Sequence, residues 1–248
     1  MKKIKAHQII TVLATLVTIT INALANILPL NGLETGVISD RFEIYFVPAG
    51  YVFSIWGLIY LALIAYTVFQ ALPAQSDNPV LKKIAPLYWL GSLANSVWIF
   101  LWHYEVFSLT LIAMVTILIT LILISQKLVS AAGLEKWLVR LPFSIYLGWI
   151  SVATIANVSQ NLFLYNWNGW GIGGQVWAVI MLAVASLLGI LKIWQEKDIP
   201  YVLVLIWAFV GITISQAGTA LVVNAAWASV FVLVIAVVAG IVKSKKVY

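Results

Sequence analysis

The sequence predicts an all-α polytopic membrane protein with about eight transmembrane helices, and three of its features support that fold class. Hydrophobic residues make up 63% of the chain, charged residues make up only 9%, and the mean hydropathy is +1.06. Continuous apolar runs recur from end to end, and roughly 20 such residues are enough for a helix to cross a bilayer. The strict alternation typical of an outer-membrane barrel is missing, so the runs favour helices.

Reading between charged residues and turn residues gives eight spans. They are 9–30, 48–70, 85–102, 106–126, 141–163, 173–194, 199–217 and 219–242. Pro48 suits the first turn of the second span, where the N–H that proline lacks has no helical partner to lose. The turn around His103 and Glu105 is so short that the third and fourth spans should form an antiparallel hairpin.

The positive charges fit this count of spans. With the N-terminus inside, all of the 14 Lys and Arg residues except Arg41 fall on one side of the membrane. The residues on that side are Lys2, Lys3, Lys5, Lys82, Lys83, Lys127, Lys136, Arg140, Lys192, Lys197, Lys243, Lys245 and Lys246. Such segregation follows the positive-inside rule. We therefore expect both termini in the cytoplasm, a prokaryotic-type inner membrane as the location, and no nucleic-acid partner.

The start of the chain allows a second interpretation. Its lysines, the apolar run and the segment Ala23-Leu24-Ala25 are also typical of a cleavable secretory signal, whose removal would leave seven spans. We favour retention, because the run is already long enough to span and the next helix needs a neighbour to pack on. The chain has no cysteine, which excludes disulfides, thiol chemistry and thiolate metal sites.

Two external segments organise the chain. The loop 31–47 carries charges beside aromatic residues, and we favour an interfacial segment over a lid because such aromatics commonly lie at headgroup level. The polar and aromatic stretch 164–172 is the predicted internal boundary. It separates a five-helix bundle at 1–163 from an additional three-helix segment at 173–248.

The middle of every predicted span lacks Asp, Glu, Lys and Arg. Proton relays and ion-coupled sites usually depend on such groups, and membrane hydrolases need an acid, a base, a metal or an activated nucleophile. His7 and His103 lie near opposite membrane faces, so they cannot share a metal. We expect His103 and Glu105 to occupy a solvated turn, and we expect no catalytic residue, no metal site and no cofactor.

Aromatic and amide residues form a stripe at helical spacing on three of the predicted helices. The stripes are Trp56 and Tyr60 in the second span, Asn95, Trp98 and Trp102 in the third, and Trp149, Ala153 and Asn157 in the fifth. Residues spaced by three or four lie on one helix face. Because an amide is costly to expose to lipid, these faces should point into the bundle, where tryptophan offers a flat surface for stacking a planar ligand.

Plain packing is the alternative explanation. Asparagines in neighbouring helices often only bond one another, and tryptophans near span ends are commonly interface anchors. The tryptophans that fit an interfacial belt are Trp89, Trp102, Trp137, Trp167, Trp170 and Trp194. Trp56, Trp98 and Trp149 lie deeper, where anchoring does not explain them. Spacing alone leaves a ligand pocket and structural packing equally open.

At these residues the chain resembles the tryptophan-rich sensory protein and translocator protein family, TspO/MBR, over roughly residues 9–163. The matching motifs occur in the family's order: a proline-led helix with W-x-x-x-Y at Trp56 and Tyr60, L-x-N-x-x-W at Asn95 and Trp98, and a fifth-helix tryptophan followed eight residues later by Asn157. Each motif alone is a weak signal in a chain with 12 tryptophans, but three in register are fairly specific.

The resemblance implies a five-helix bundle whose pocket accepts porphyrins or other hydrophobic ligands and is closed by the first loop. The ligand-binding residues that it implies are Trp56, Tyr60, Asn95, Trp98, Trp149, Ala153 and Asn157. It also implies a homodimer. The first loop here lacks the family's tryptophan, which argues against porphyrin degradation, and Ser96 stands where a second tryptophan is common. The three C-terminal helices are expected to have no counterpart in the basic family fold.

The stripes and the missing charges favour a receptor or carrier for a flat hydrophobic ligand, and the resemblance implies that this ligand could be a porphyrin or other tetrapyrrole. Its other expected partner is the lipid bilayer. One alternative is an eight-helix small-molecule transporter, suggested by weak internal echoes such as Asn95-x-x-Trp98 and Asn224-x-x-Trp227. The other is a membrane scaffold without a small ligand, in which the amides only hold the helices together.

Overall fold

The computed structural model describes residues 3–28 and 30–245, without the side chains of Asn26, Ser244 and Lys245. Every regular element in these residues is helical. In chain order the main helices are α1 (Ala6–Ile27), α2 (Thr35–Ser39), α3 (Ile55–Ala71), α4 (Pro79–His103), α5 (Phe107–Leu128), α6 (Gly133–Glu135), α7 (Leu141–Leu164), α8 (Gly174–Glu196), α9 (Ile199–Ser215) and α10 (Ala220–Lys245). A π-helical turn, Lys136–Arg140, joins α6 to α7.

Seven segments of the described chain are long and apolar enough to cross a membrane. They are Ala6–Ala25, Gly50–Ala71, Pro79–His103, Phe107–Leu128, Gly133–Leu164, Gly174–Glu196 and Ala220–Lys243. The predicted span 199–217 corresponds to α9, which is apolar but has only 17 residues because the chain turns at Gln216. The protein is therefore an integral, multi-pass, all-helical membrane protein, as the composition predicted.

Local sequence explains where several helices begin. The side chain of Asn78 accepts hydrogen bonds from the backbone N–H groups of Val80 and Leu81, and Pro79 follows it as the first residue of α4. The carboxylate of Asp198 caps α9 by accepting from the N–H of Tyr201. A capping side chain satisfies donors that the first helical turn leaves free.

The chain divides into two compact units. Unit 1 contains Met1–Arg41 and Ile55–Ile150, and unit 2 contains Phe42–Ser54 and Ser151–Tyr248. Helix α7 runs through both, so its first ten residues belong to unit 1 and the remainder to unit 2. The division predicted at 1–163, 164–172 and 173–248 has other bounds and stays a prediction.

In unit 1, helix α1 buries a polar stripe instead of an apolar one. Gln8, Thr11, Thr15, Thr18 and Asn22 are all at most 4% exposed, and they recur at intervals of three or four residues. Many apolar residues of α1 are exposed, including Ile9, Leu13, Leu16 and Val17. This inverted pattern suits a helix whose outer face meets lipid and whose inner face bonds other helices.

In unit 2, the segment 42–54 packs along α9. The N–H of Ala49 donates to the carbonyl of Gly211 (3.1 Å), and the indole N–H of Trp207 donates to the carbonyl of Val52 (3.3 Å). The ring of Phe46 meets that of Phe209 edge-on at 6.4 Å and is only 2% exposed. Packing against α9 therefore buries Phe46, and the prediction that the loop aromatics lie at headgroup level stays a prediction.

An aromatic candidate site with a hydrogen-bonded wall

Trp56 is the centre of an aromatic cluster in unit 1. Its ring stacks on that of Tyr60, one turn along α3, with a centroid distance of 5.5 Å and an angle of 23°. It also meets the rings of Tyr146 at 5.8 Å and Trp149 at 6.3 Å, both on α7, at steep angles. Trp56 and Tyr60 are half-buried, whereas Trp149 is 2% exposed. The structure thus brings three of the predicted residues together around an accessible edge.

A chain of hydrogen bonds supports this cluster from one side. The amide nitrogen of Asn22 donates to the side-chain oxygen of Asn95 (2.7 Å), and the amide nitrogen of Asn95 donates to the hydroxyl of Tyr146 (3.0 Å). Asn95 is 1% exposed, so its predicted inward orientation is observed. The chain ties α1, α4 and α7 together and fixes the Tyr146 ring that contacts Trp56.

Sequence reasoning missed two members of this arrangement. Asn22 is an amide within a long apolar run, and the argument that placed Asn95 in the interior applies to it equally. Tyr146 lies three residues before Trp149, on the same face of α7. Both could have been found by extending the stripes to every polar residue at helical spacing.

Trp98 and Trp102 form a second aromatic pair on α4. Their rings stack at 4.9 Å with an angle of 21°, and Trp102 meets Phe107 at 5.6 Å. The prediction that Trp102 anchors at the membrane interface is wrong, because it is 5% exposed and its N–H donates to the carbonyl of Thr35 (3.1 Å). The indole N–H of Trp98 is buried without a hydrogen-bond partner, which leaves a donor for a ligand to satisfy.

The remaining predicted residues, Ala153 and Asn157, belong to unit 2. They continue the face of α7 that carries Trp149, at intervals of four residues. Ala153 is half-buried and Asn157 is 3% exposed. The carbonyl of Asn157 accepts a hydrogen bond from the side chain of Asn161 (2.9 Å).

His103 does not lie in a solvated turn, contrary to expectation. It is 0% exposed, with Nδ1 3.0 Å from the carbonyl of Leu30 and Nε2 3.0 Å from the hydroxyl of Thr35. Glu105 does lie at the surface, where its carboxylate pairs with Arg41 at 2.6 Å. These contacts fasten the residues that follow α1 to the end of α4, and both imidazole nitrogens are used for that purpose.

Charged side chains of unit 1 form ion pairs near the ends of its helices. No group of three or more His, Cys, Asp or Glu residues in the described part of the chain could hold an ion. Between α3 and α4, Lys5 and Lys82 approach the carboxylate of Asp77 at 2.6 and 3.0 Å. Their hydrogen bonds and charges hold the pKa of Asp77 well below its usual range.

A family model described as TSPO-like protein matches residues 8–239. The chain belongs to the TSPO-like family. No curated protein and no solved structure matches it. The match extends through α8, α9 and most of α10, whereas the sequence motifs placed the resemblance at roughly residues 9–163. The family assignment is thus confirmed, and the three C-terminal helices lie within the matched region of this TSPO-like protein.

Proposed function

We propose that this TSPO-like membrane protein is a receptor or carrier that binds a flat hydrophobic ligand, with tetrapyrroles as the leading class. The observation that carries the proposal is the cluster around Trp56, in which four aromatic rings from α3 and α7 meet and two of them stay half-buried. Such rings offer a large apolar face to a planar molecule, and each aromatic pair adds about 0.5–1.5 kcal/mol beyond area burial.

The polar groups beside the cluster suggest how a ligand is oriented. Asn95 and Trp98 lie three residues apart on α4, and Asn95 is hydrogen-bonded to Tyr146. We infer that Asn95 positions the Tyr146 hydroxyl, while the unpaired N–H of Trp98 receives an acceptor from the ligand. The side-chain carboxylates of a porphyrin are acceptors of this kind. Ala153 and Asn157, which the family resemblance also implies, belong to unit 2 and stay a prediction.

Quenching of tryptophan fluorescence by protoporphyrin IX tests this proposal in detergent-purified protein. The double variant Trp98→Leu/Trp149→Leu should abolish saturable quenching, because it removes two proposed ligand contacts. The control is Trp137→Leu/Trp194→Leu, which removes two tryptophans that are 60% and 71% exposed and should leave the affinity unchanged. Circular dichroism must show folded helices in both. Equal affinity in the two double variants would refute the proposed site.

A scaffold without a small ligand is the second candidate, and one observation favours it. The amide of Asn95 is already engaged by Asn22 and Tyr146, as in a purely structural helix contact. A scaffold predicts that protoporphyrin IX quenches linearly, without saturation, in every variant. An eight-helix transporter predicts instead that bound porphyrin crosses the membrane of sealed proteoliposomes.

We also propose that both termini face the cytoplasm and that the protein lies in an inner membrane as a homodimer without enzymatic activity. The distribution of Lys and Arg supports the orientation. It requires α9 to cross the membrane, and 17 residues at about 1.5 Å each give about 25 Å, which is at the short end of the range for a span. If α9 does not cross, the two termini fall on opposite sides.

Because the chain has no cysteine, single cysteines report the orientation without background. Cysteine at Asn168 should react with an impermeant maleimide added to intact cells. Cysteine at Ala131 or Ser244 should react only after the cells are opened. Labelling of Ser244→Cys in intact cells would show seven crossings and overturn the proposed orientation.

A further inference from the structure

Three tryptophans of unit 2, two in the connection between α7 and α8 and one in the first turn of α8, have their rings in contact. The ring centroids of Trp167 and Trp170 are 5.3 Å apart, those of Trp167 and Trp177 are 5.2 Å apart, and those of Trp170 and Trp177 are 5.8 Å apart. The three rings are mutually inclined, at angles of 79°, 50° and 62°. Trp167 and Trp177 are half-buried and Trp170 is 76% exposed, so the group is open on one side.

The backbone holds these rings in place. The indole N–H of Trp177 donates to the carbonyl of Gly169 (3.0 Å), and the side chain of Asn168 accepts from the N–H of Trp170 (3.0 Å). Trp170 itself has φ +54° and ψ +33°, which is the left-handed region. A bulky residue there is strained by about 1 kcal/mol or more, and glycine would adopt it freely. The ring of Trp170 is thus held in this group at a cost in backbone strain.

The surroundings define the ligand chemistry. The connection joins the spans Gly133–Leu164 and Gly174–Glu196, so it lies at the membrane surface. No Asp, Glu, Lys or Arg occurs between Arg140 and Lys192 in the sequence. A cation reaching these rings therefore meets their negative π faces and no charged side chain from this stretch. Several aromatic faces in one group suit a bulky, weakly hydrated cation such as a quaternary ammonium.

We propose that Trp167, Trp170 and Trp177 form a binding site for a trimethylammonium group of the choline type. The group has two possible sources at the membrane surface, the headgroup of a choline lipid and a free choline-like cation. Both would place methyl groups against the three rings. This site is independent of the proposed tetrapyrrole site, so either can fail without the other.

The test uses 5-fluorotryptophan-labelled protein in maltoside detergent, followed by fluorine NMR during titration with choline chloride. The resonance of Trp170 is assigned by its loss in Trp170→Gly. Choline should shift the three resonances saturably, and the uncharged isostere 3,3-dimethylbutan-1-ol should bind at least about tenfold more weakly, since only the charge differs. Equal binding of the two compounds, or no saturation with choline, would overturn the proposal.

Two variants of Trp170 distinguish the effect of its ring from the effect of its left-handed backbone conformation. Trp170→Gly keeps the left-handed conformation and removes the ring, so choline affinity, read from the other two resonances, should fall at least about tenfold. Trp170→Phe keeps an aromatic face and should lose only a few-fold. The matched control is Trp194→Ala, which removes a similarly exposed tryptophan (71%) from the far end of α8. Unchanged affinity in Trp170→Gly would contradict the site.

Nanodiscs distinguish the two sources. In phosphatidylcholine discs, headgroups should already occupy the site, so that added choline shifts nothing, whereas in phosphatidylglycerol discs choline should titrate as it does in detergent. That result supports the site and identifies the lipid headgroup as its ligand. Equal titration in both discs also supports the site but identifies a free cation. Absence of titration in phosphatidylglycerol discs would count against the site.

Discussion

The two units show two kinds of contact between helices, hydrogen bonds between side chains and close packing at glycines. In unit 1, polar side chains bond between helices: the hydroxyl of Thr15 lies 2.7 Å from those of both Thr67 and Tyr88, and Asn22 donates to Asn95. In unit 2, glycines allow close apolar contact. A Cβ on Gly189 would lie only 2.8 Å from a Leu233 methyl group, and one on Gly240 would lie 2.6 Å from a methyl group of Ile193.

The comparison shows the two kinds of contact that hold helices together in a membrane, where hydrophobic attraction between them is weak. Lipid is as apolar as a leucine side chain, so helices gain little by burying apolar surface and depend on close packing and on hydrogen bonds. Hydrogen bonds are directional, and in unit 1 they also fix the orientation of Tyr146 beside Trp56. The polar unit is therefore the one suited to a preorganised ligand site.

Among the substitutions proposed here, Gly211→Ala in unit 2 should lower the stability most. A Cβ there would overlap a methyl group of Val52 and come within 3.0 Å of the Pro48 ring. Both partners are stiff, so the segment 42–54 must move away from α9. We expect a loss of about 2–3 kcal/mol, as for an overpacked core, measured as a fall in Tm in detergent.

The matched control is Gly57→Ala, at a helical glycine with nothing within 4 Å of the added Cβ. Alanine favours a helix by up to about 1 kcal/mol over glycine, so this variant should be neutral or stabilising. An equal fall in Tm in both variants would mean that close packing is not what distinguishes unit 2.

Replacing Asn22 or Asn95 by leucine tests the hydrogen bonds of unit 1 and should cause the second-largest loss of stability. Each single variant removes the hydrogen bond between the two buried amides, at a cost of about 1–2 kcal/mol. In the double variant both amides are gone, so the cost should be less than the sum. A double-mutant cycle on Tm should give a coupling of about 0.6–1.7 kcal/mol. Strict additivity would show that the two side chains do not interact.

Thr15→Val should have a smaller effect of the same kind. It removes the hydroxyl that Thr67 and Tyr88 share on different helices, and we expect a loss of about 0.5–1 kcal/mol in thermal unfolding. Thr116→Val is the control, since that hydroxyl bonds only the carbonyl of Ile112 in its own helix. If both threonines respond alike, the bonds between helices add nothing to those within a helix.

The smallest change in stability is expected for Asp77→Asn, at the surface of unit 1. Because Lys5 and Lys82 lower the pKa of this carboxyl in the folded state, its contribution is complete above the unfolded pKa of about 3.9 and is lost as the pH falls below that value. Wild type should therefore exceed Asp77→Asn slightly in Tm at pH 7, and the difference should shrink progressively as the pH falls below about 4. A constant difference would contradict the ion-pair explanation.

Composition and charge predicted much of the fold, because lipid imposes helices of a minimum length and leaves a strong apolar signal. The inward direction of Asn95 and the Trp56–Tyr60 stack followed from helical spacing. The burial of Trp102 and His103 could not be predicted from helical spacing, because it depends on which residues after α1 contact the end of α4. Such pairings join residues about 70 positions apart, and a single sequence carries no local sign of them.

The polar stripe of α1 was available to sequence reasoning and was overlooked. Threonine is tolerated in spans, so Thr11, Thr15 and Thr18 stand out only when they are aligned with Gln8 and Asn22 at intervals of three or four. The packing of Phe46 on α9 lies beyond such reasoning, because it joins segments that are distant in the chain.

The most direct test of the central claim compares Trp56→Leu with Asn22→Leu, measuring both the Kd for protoporphyrin IX and the Tm. Trp56→Leu removes the half-buried centre of the aromatic cluster, so the affinity should fall at least about tenfold with a small change in Tm. Asn22→Leu should lower the Tm and, because it loosens the support of Tyr146 without removing a ring, reduce the affinity of the folded protein by only a few-fold. Undiminished affinity in Trp56→Leu would contradict the assignment of the aromatic cluster as the ligand site.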